Sequence, residues 1–324
     1  MSTSAVPRRL SSERIARAAE EIDPVFLHTP QFEAEALGDA LGVRVIVKVE
    51  TANPIRSFKG RGTDFFVREL SPRPERLVSS SAGNFGQGLA YAARKFGLRC
   101  DIFAAAAASP LKVERMRALG AHVHLVGRDL DEAKAHAREY AVSVGAPFVE
   151  DGREPAIAEG AGSIAVELCR WPQPMAAVVV PLGNGALAGG TGTWIKDHAP
   201  ATQVVAVCAQ GAPSMERSWR AGRAIETEGV ATIADGIAVR VPIPEAVDDL
   251  RGTVDDIVLV SEEALRRAVR LLLETTGLVV EPAGAAGVAA LIEHRDRVAP
   301  AGLVATVLCG GNLALEQLSA ILSE

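Results

Sequence analysis

The feature that most constrains the fold is a repeated alternation of short apolar runs with amphipathic helical stretches. Short runs dominated by Val, Ala and Leu occur at 176–181, 203–208 and 303–308, and each lies beside an Ala-, Arg- or Glu-rich stretch. Strands that are apolar on both faces and alternate with helices indicate parallel sheets covered on both sides. We therefore predict an α/β protein with mostly parallel, twisted sheets covered by helices.

The first half of the chain shows the same rhythm. The apolar patterns predict strands at 43–48, 77–80, 100–107 and 120–126, and helices at 87–96, 110–119 and 130–144. No Gly/Ser-rich linker divides the chain, so two domains require it to cross between them more than once. We predict a smaller α/β domain at 53–150, inserted into a larger domain formed by 1–52 and 151–324.

Composition excludes several classes of function. The 324 residues carry a net charge of −6 without a basic block, which argues against nucleic acid as a partner. No apolar run reaches the ~18 residues of a membrane span, and the N-terminus has no signal-peptide core, so we expect a cytoplasmic protein without membrane contact. The four cysteines and six histidines are scattered without a ligand spacing, so we expect no metal.

Small-residue loops follow several of the predicted strands, where ligands of parallel sheets bind. The loop at 79–88 leads into a helix and attracts anions such as a carboxylate, and Asn84 adds a side-chain donor. The loop at 181–190 lacks the lysine and Ser/Thr of a P-loop, so it favours a lone cofactor phosphate over a nucleoside triphosphate. Similar turns occur at 281–287 and 309–312.

Lys59 lies between Phe58 and Gly60, with Ser57 and Gly62 close by. A lysine that forms a Schiff base needs a desolvated, partly apolar pocket, and glycines that let the backbone approach a flat ligand. Together with the glycine loops, this lysine predicts a pocket for a flat, phosphorylated cofactor that carries an aldehyde. Pyridoxal 5′-phosphate is that molecule.

From 28 to 312 the chain resembles the fold-type II (tryptophan synthase β-like) pyridoxal-phosphate enzymes of the serine/threonine dehydratase family. The segments that carry the resemblance are, in order, SFKGRG, SAGNFGQG, KVERMRALGA, PLGNGAL, ADGIAV, EPAGAAG and CGGN. The resemblance implies two domains, and a dimer or tetramer of identical subunits. Because the chain ends one predicted helix after CGGN, we expect no isoleucine control through a further C-terminal domain.

The resemblance also implies roles for individual residues. Lys59 would carry the cofactor as a Schiff base and take the Cα proton of the substrate. Cys309 would face the pyridine nitrogen as a neutral partner, which favours β-elimination over transamination. Further expected cofactor contacts are Phe58, Asn84, Gly183, Asn184, Gly185, Ala186, Leu187, Gly236 and Glu281. Expected substrate contacts are Ser81, Ala82, Gly83, Asn84, Phe85 and Arg56.

Several positions depart from the family pattern, among them Asn184 and Ala186, which replace two glycines of the phosphate loop and remain compatible with backbone binding. Ala82 replaces the serine that racemases use on the opposite face of Cα, which favours a dehydratase. Phe85 replaces a histidine, and Cys208 lies where many relatives have a glutamate that binds a divalent cation, so we expect no metal there. Arg56 is unusual at the entrance to the lysine loop; it is either a surface residue or a contact to a polar or acidic substrate.

The predicted activity is a pyridoxal-phosphate-dependent lyase that removes water from a hydroxy amino acid and yields a 2-keto acid and ammonia. Threonine, serine, 3-hydroxyaspartate or another polar analogue would be the substrate. A β-replacement synthase, a threonine synthase-like enzyme and a racemase are the alternatives within the class. A non-catalytic homologue that only binds the cofactor is the alternative from another class, and the intact Lys59 argues against it.

Overall fold

The computed structural model describes residues 8–299 and 302–323, which form two β-sheets covered by helices. The larger sheet has six strands in the order β1-β2-β10-β7-β8-β9, and all neighbours are parallel except β1 and β2. Its strands are β1 (Gln31–Glu33), β2 (Val45–Val49), β7 (Ala177–Pro181), β8 (Gln203–Ala209), β9 (Asp256–Val260) and β10 (Val304–Leu308). The predicted α/β class with mostly parallel sheets is confirmed.

The smaller sheet has four parallel strands in the order β5-β4-β3-β6. They are β3 (Arg76–Ser80), β4 (Arg99–Ala104), β5 (His122–Leu125) and β6 (Phe148–Val149). All four lie within 53–150, and the strands of the larger sheet lie outside that range. The division of the chain into an inserted domain and a surrounding domain stays a prediction.

Thirteen α-helices lie within the described residues, and 3₁₀ turns occur at Pro24–Phe26 and Asp235–Ile237. The helices are α1 (Ser12–Glu21), α2 (Glu35–Leu41), α3 (Lys59–Glu69), α4 (Asn84–Lys95), α5 (Pro110–Ala118), α6 (Leu130–Ser143), α7 (Pro155–Leu168), α8 (Ala186–His198), α9 (Ser214–Ala221), α10 (Pro244–Asp249), α11 (Glu262–Thr276), α12 (Pro282–Val298) and α13 (Leu315–Ser323). Among these described helices, none is long and apolar enough to cross a membrane.

Local sequence sets the ends of α11. The Ser261 hydroxyl accepts a hydrogen bond from the Ala264 N–H at 3.1 Å, which satisfies one free donor of the first turn. Gly277 ends the helix in the left-handed region, at φ +69°. Between these caps, Leu265, Val269 and Leu272 form a buried stripe that faces the larger sheet's core.

Two predicted element boundaries near the predicted ligand-binding loop at 79–88 were wrong. Helix α4 begins at Asn84, three residues before the predicted start at Gln87, so the glycines of this segment lie within the helix. Strand β4 ends at Ala104, not at Ala107, because the alanine run 105–107 leaves the sheet in a turn. Alanine has no β-branched side chain to favour the extended form. The apolar character of the alanine run therefore predicted a longer strand than the chain forms.

Helices α3 and α7 approach each other so closely that only glycine fits between them. A Cβ atom at Gly62 would overlap the backbone of Ile157, and a Cβ at Gly160 would lie 2.7 Å from the Arg61 carbonyl oxygen. These two glycines therefore set the distance between the backbones. Gly62 is thus needed for the close packing of two helices, in addition to the predicted approach of the backbone to a flat ligand.

Arg61 is fully buried and fixes α3 to its surroundings through ion pairs. Its guanidinium donates to Glu50 at 2.8 Å and to Glu167 at 2.7 Å, and Lys48 pairs with Glu167 as well. Burial alone would raise the pKa of Glu167, but the hydrogen bonds and charges of Arg61 and Lys48 outweigh it and lower the pKa to about 2. Two cations and two anions therefore balance in this buried cluster, which joins β2, α3 and α7.

We expect Arg61→Met to lower the free energy of unfolding by about 3–5 kcal/mol, because it leaves the buried Glu50 carboxylate without its ion-pair partner and Glu167 with Lys48 alone. Urea unfolding of the cofactor-free protein, followed by circular dichroism, measures this loss. Arg44→Met is the matched control, since the Arg44–Glu33 pair is exposed and exposed pairs contribute less than about 1 kcal/mol. A loss for Arg61→Met no larger than for Arg44→Met would contradict the role given to the cluster.

Candidate active site

Lys59 is the first residue of α3 and lies directly against the end of β10. The Phe58 N–H donates to the Cys309 carbonyl oxygen at 3.0 Å, and the Ser57 hydroxyl donates to the same oxygen at 3.2 Å. Ser57 also pairs with Gly310 in an isolated antiparallel bridge. The predicted lysine loop and the predicted CGGN turn are therefore one hydrogen-bonded unit.

The Lys59 ammonium lies between two aromatic rings and a carboxylate. Its Nζ is 4.6 Å from the centre of the Phe58 ring and 5.9 Å from that of Phe85. It donates to Asp151 Oδ2 at 2.6 Å, and the Asn184 amide is 3.4 Å from the same oxygen. The other oxygen, Asp151 Oδ1, is buried and has no hydrogen-bond partner among the described residues. The structure thus brings Lys59, Phe58, Phe85 and Asn184 together.

The 181–190 loop forms an anion site at the start of α8. Gly185 adopts φ +90° and precedes the first helical residue, Ala186, without a side-chain cap. The first N–H groups of the helix are therefore free for a ligand, and the helix dipole favours a negative one. A Cβ at Gly183 would lie 2.8 Å from the Gly236 carbonyl oxygen, so these two turns touch. Leu187 is buried in the first turn of the same helix.

A second anion site lies at the start of α4. The Ser81 hydroxyl accepts hydrogen bonds from the N–H groups of Gly83 at 3.2 Å and Gly86 at 3.0 Å, which curls the chain into the helix. Asn84 and Phe85 lie in the first turn of α4, whereas the loop 81–85 was predicted to precede the helix. A helix start is a better carboxylate site than a loop, because its N–H groups point the same way.

Asn84 links α4 to the start of α12 and to the end of the CGGN turn. Its Nδ2 donates to Glu281 Oε1 at 2.6 Å, and its Oδ1 accepts from Asn312 Nδ2 at 2.7 Å. The Asn312 N–H donates to Glu281 Oε2 at 3.2 Å. Burial raises the pKa of Glu281, the charge of Lys112 lowers it and that of Asp235 raises it, and together these effects bring it to about 7. Glu281 is therefore a carboxyl group that changes charge near neutral pH.

Cys309 is a buried thiol at the end of β10. Burial is the main effect that raises the pKa of this thiol, and the neighbouring Glu281 charge raises it further. The thiol therefore stays neutral. Cys208 is also buried, in β8, and burial raises its pKa to about 12. All four cysteines, Cys100, Cys169, Cys208 and Cys309, lie within the described residues and are free thiols.

Arg56 is exposed at the entrance to the lysine loop and has an unusual backbone. Its φ of +52° lies in the left-handed region, which non-glycine residues rarely adopt. Its carbonyl oxygen accepts a hydrogen bond from the Gly311 N–H at 2.9 Å. Ala82 precedes Gly83 and carries no side-chain hydroxyl. The structure therefore places Arg56 beside the CGGN turn.

Three polar residues of this site were missed from sequence. They are Asp151, which faces Lys59, and the pair Arg115 and Asn312, which are hydrogen-bonded to each other. Asp151 follows β6, and a carboxylate just beyond a parallel strand is a signal that the sequence did offer. Arg115 and Asn312 lay inside the quoted motifs KVERMRALGA and CGGN, but their pairing spans 197 positions and no local pattern shows it.

Another polar cluster lies on β4 and the edge strand β5. Asp101, His122 and His124 place ligand atoms within 4.8 Å of one another. Asp101 already forms an ion pair with Arg76 at 3.1 Å, and its other oxygen lies 2.8 Å from His124 Nε2. The expectation that the protein binds no metal stays a prediction.

The residues around Lys59 fit the expected cofactor. The amine lies beside aromatic rings, as a flat ring needs, and the uncapped start of α8 suits a phosphate. The neutral thiol at Cys309 suits a ring nitrogen that is not held in its protonated form.

Comparison with known proteins also indicates a pyridoxal-phosphate dependent enzyme. The family model described as "Pyridoxal-phosphate dependent enzyme" matches residues 22–310. The L-threonine ammonia-lyase of Thermotoga maritima is 35% identical over 317 residues, which is 97% of this chain and 79% of that protein. The L-threonine ammonia-lyase of Geobacter sulfurreducens is 34% identical over 91% of this chain and 74% of its own length. The crystal structure of the T.th. threonine deaminase superposes with a TM-score of 0.89, at 33% identity, over 94% of this chain and 99% of that one.

We expect Gly310→Ala to weaken the binding of pyridoxal phosphate by about tenfold or more. The new Cβ would overlap Glu281 Oε1 and lie 2.9 Å from Asn84 Nδ2, and overpacking of this kind costs about 1–3 kcal/mol. Titration of the cofactor-free protein, followed by protein fluorescence, gives the affinity. Gly229→Ala is the control, because a Cβ there meets nothing within 4 Å. Equal affinities of the two variants would show that the Glu281–Asn84 contact does not shape the cofactor site.

We expect the stability of the cofactor-free protein to fall between pH 4.5 and 7 because of Glu281. Its folded-state pKa of about 7 lies above the ordinary value of 4.5, so the folded protein holds the proton more tightly. The stabilisation is complete below pH 4.5 and is lost as the pH rises through 7, on the order of 3 kcal/mol. Glu281→Gln should remove this dependence in urea unfolding, and Glu263→Gln, on the exposed side of α11, should keep it. An unchanged profile in Glu281→Gln would sink the assignment.

Proposed function

Because the chain belongs to the pyridoxal-phosphate dependent enzyme family, we propose that it is an ammonia-lyase acting on a β-hydroxy amino acid. It would remove water from a threonine- or serine-like substrate and release a 2-keto acid and ammonia. The observation that carries the proposal is the position of Lys59, whose amine lies between Phe58, Phe85 and Asp151 beside the neutral Cys309. The ammonia-lyase names of the relatives support the same reaction.

Pyridoxal phosphate, when bound, supplies the electron-withdrawing group that acidifies the Cα proton of the substrate. The start of α8 would hold its phosphate through the N–H groups of 183–187, and Phe58 and Gly236 would contact the ring. Asn84 would donate the remaining hydrogen of its amide to the ring, because Glu281 takes only one. Cys309 would face the ring nitrogen.

Lys59 would act as the general base. Its Nζ takes the Cα proton and holds it within the site, while Asp151, at 2.6 Å, keeps the amine directed between the two aromatic rings. The side chains of Phe58 and Phe85 exclude water from the amine, which strengthens this electrostatic contact. The substrate enters with its α-carboxylate at the start of α4, near Ser81, Ala82 and Gly83.

Two features of the residues favour elimination over the alternative reactions. The Cys309 thiol carries no negative charge, so it cannot hold a protonated ring nitrogen as a carboxylate would, and transamination is disfavoured. Ala82 offers no hydroxyl to return a proton to the opposite face of Cα, which disfavours racemisation.

We expect Lys59→Ala to lower the formation of 2-keto acid from threonine or serine by about 10²–10⁴-fold or more, since the proposed base is removed. Borohydride reduction followed by mass spectrometry should attach the cofactor to the Lys59 peptide of the unaltered protein and to no peptide of the variant. Lys196→Ala is the control, because Lys196 pairs with Asp255 in the last turn of α8. Keto-acid formation that survives in Lys59→Ala would place the base elsewhere.

A further inference from the structure

We propose that Arg56 and Arg115 form a binding site for a second carboxylate, on the side chain of the substrate. The preferred substrate would then be a β-hydroxy dicarboxylic amino acid, of which 3-hydroxyaspartate is the simplest. Loss of water and addition of water to the resulting imine would release ammonia and a dicarboxylic 2-keto acid. This inference rests on the proposed lyase function and names the substrate class of the same site.

Arg115 reaches the site from α5. It is half-buried, and its guanidinium donates to Asn312 Oδ1. Asn312 in turn donates to Asn84 Oδ1 at 2.7 Å, so the guanidinium is two hydrogen bonds from a residue expected to touch the cofactor. A guanidinium has five N–H donors, and one hydrogen bond to Asn312 leaves the others for a ligand.

Arg56 approaches the same place from the lysine loop. Its carbonyl oxygen is held by the Gly311 N–H, next to Asn312, and its φ is +52°. A non-glycine residue in this conformation costs on the order of 1–3 kcal/mol, so glycine would be the cheaper choice. The presence of an arginine here points to a use for its side chain.

The two arginines act on each other as like charges. Burial lowers the pKa of Arg115, and the charge of Arg56 lowers it further, while Glu281 raises it. Among the described residues, neither guanidinium forms an ion pair with a carboxylate, and Arg115 bonds instead to the neutral amide of Asn312. Lys112, three residues before Arg115 on the same helix, does have such a partner in Asp235. Within the described part of the chain, the site therefore keeps two positive charges that no carboxylate pairs with directly.

A carboxylate is the ligand that suits these two groups. The planar guanidinium fork matches a carboxylate with two parallel hydrogen bonds, and such bonds to a charged group are stronger than neutral ones. The start of α4 offers the first-turn N–H groups of Asn84 and Phe85, which have no intrahelical acceptor, to the α-carboxylate of the substrate. A second anion site serves a substrate that carries a second carboxylate.

The experiment compares kcat/KM on L-serine, L-threonine and threo-3-hydroxyaspartate for the holoenzyme, Arg56→Gln and Arg115→Gln. We expect the unaltered enzyme to prefer 3-hydroxyaspartate. Each variant should lower the ratio of kcat/KM for 3-hydroxyaspartate to that for serine by about 10- to 100-fold, the value of a charge-assisted hydrogen bond. Arg117→Gln, on the exposed side of α5, should leave the ratio unchanged.

A binding measurement tests the site without turnover. Titration calorimetry of the holoenzyme should show tighter binding of succinate than of propionate, and Arg56→Gln and Arg115→Gln should remove that difference. Equal losses on all three substrates would assign the arginines to the α-carboxylate and overturn the proposal. So would full activity on serine or threonine with none on 3-hydroxyaspartate. Activity on none of the three, with cofactor bound, would instead remove the proposed lyase function.

Discussion

The ion cluster around Arg61 is the constraint on which the active site depends. Arg61 lies two residues after Lys59 on α3, so whatever holds its side chain also holds the start of the helix. Taking a guanidinium and two carboxylates out of water costs several kcal/mol per ion, and the ion pairs offset this only with close geometry. Glu50, directly after β2, and Glu167, on α7, supply that geometry. The cluster therefore fixes Lys59 relative to the larger sheet, at some cost in solvation.

The site itself is built from chain segments that leave the carboxyl ends of strands in both sheets. Strands β3 and β6 of the smaller sheet lead to Ser81 and Asp151, while β7 and β10 of the larger sheet lead to Gly183 and Cys309. Parallel sheets bring such ends to one edge, which is why residues far apart in sequence meet around one amine. The hydrogen bonds between Phe58 and Cys309 and between Asn84 and Glu281 join these segments.

The strands and the glycine loops of the site could be predicted from the sequence, whereas its buried polar contacts could not, for a physical reason. Unbroken apolar runs reveal buried parallel strands, and glycines after them reveal the loops, because both signals are local. Buried polar partners are not local: Arg61 and Glu167 are 106 positions apart, and Arg115 and Asn312 are 197 apart. A lone Arg or Asn in a helix or loop looks the same whether it faces solvent or a buried acid. The early start of α4 was hidden because glycine, at 86 and 88, is a poor helix former, and close packing overrides that preference.

The electrostatics of the site differ between its floor and its entrance. At the floor, burial favours neutral forms, as with the Cys309 thiol and the carboxyl of Glu281 near neutral pH. At the entrance, Arg115 remains positive beside Arg56, because arginine keeps its charge even where burial and a like charge lower its pKa. An anion that binds there relieves the repulsion between them, and any ligand that binds only the folded form also stabilises it. Substrate charge, and not only substrate shape, would then contribute to both selection and stability, since a dicarboxylate relieves a repulsion that a monocarboxylate held at α4 leaves in place.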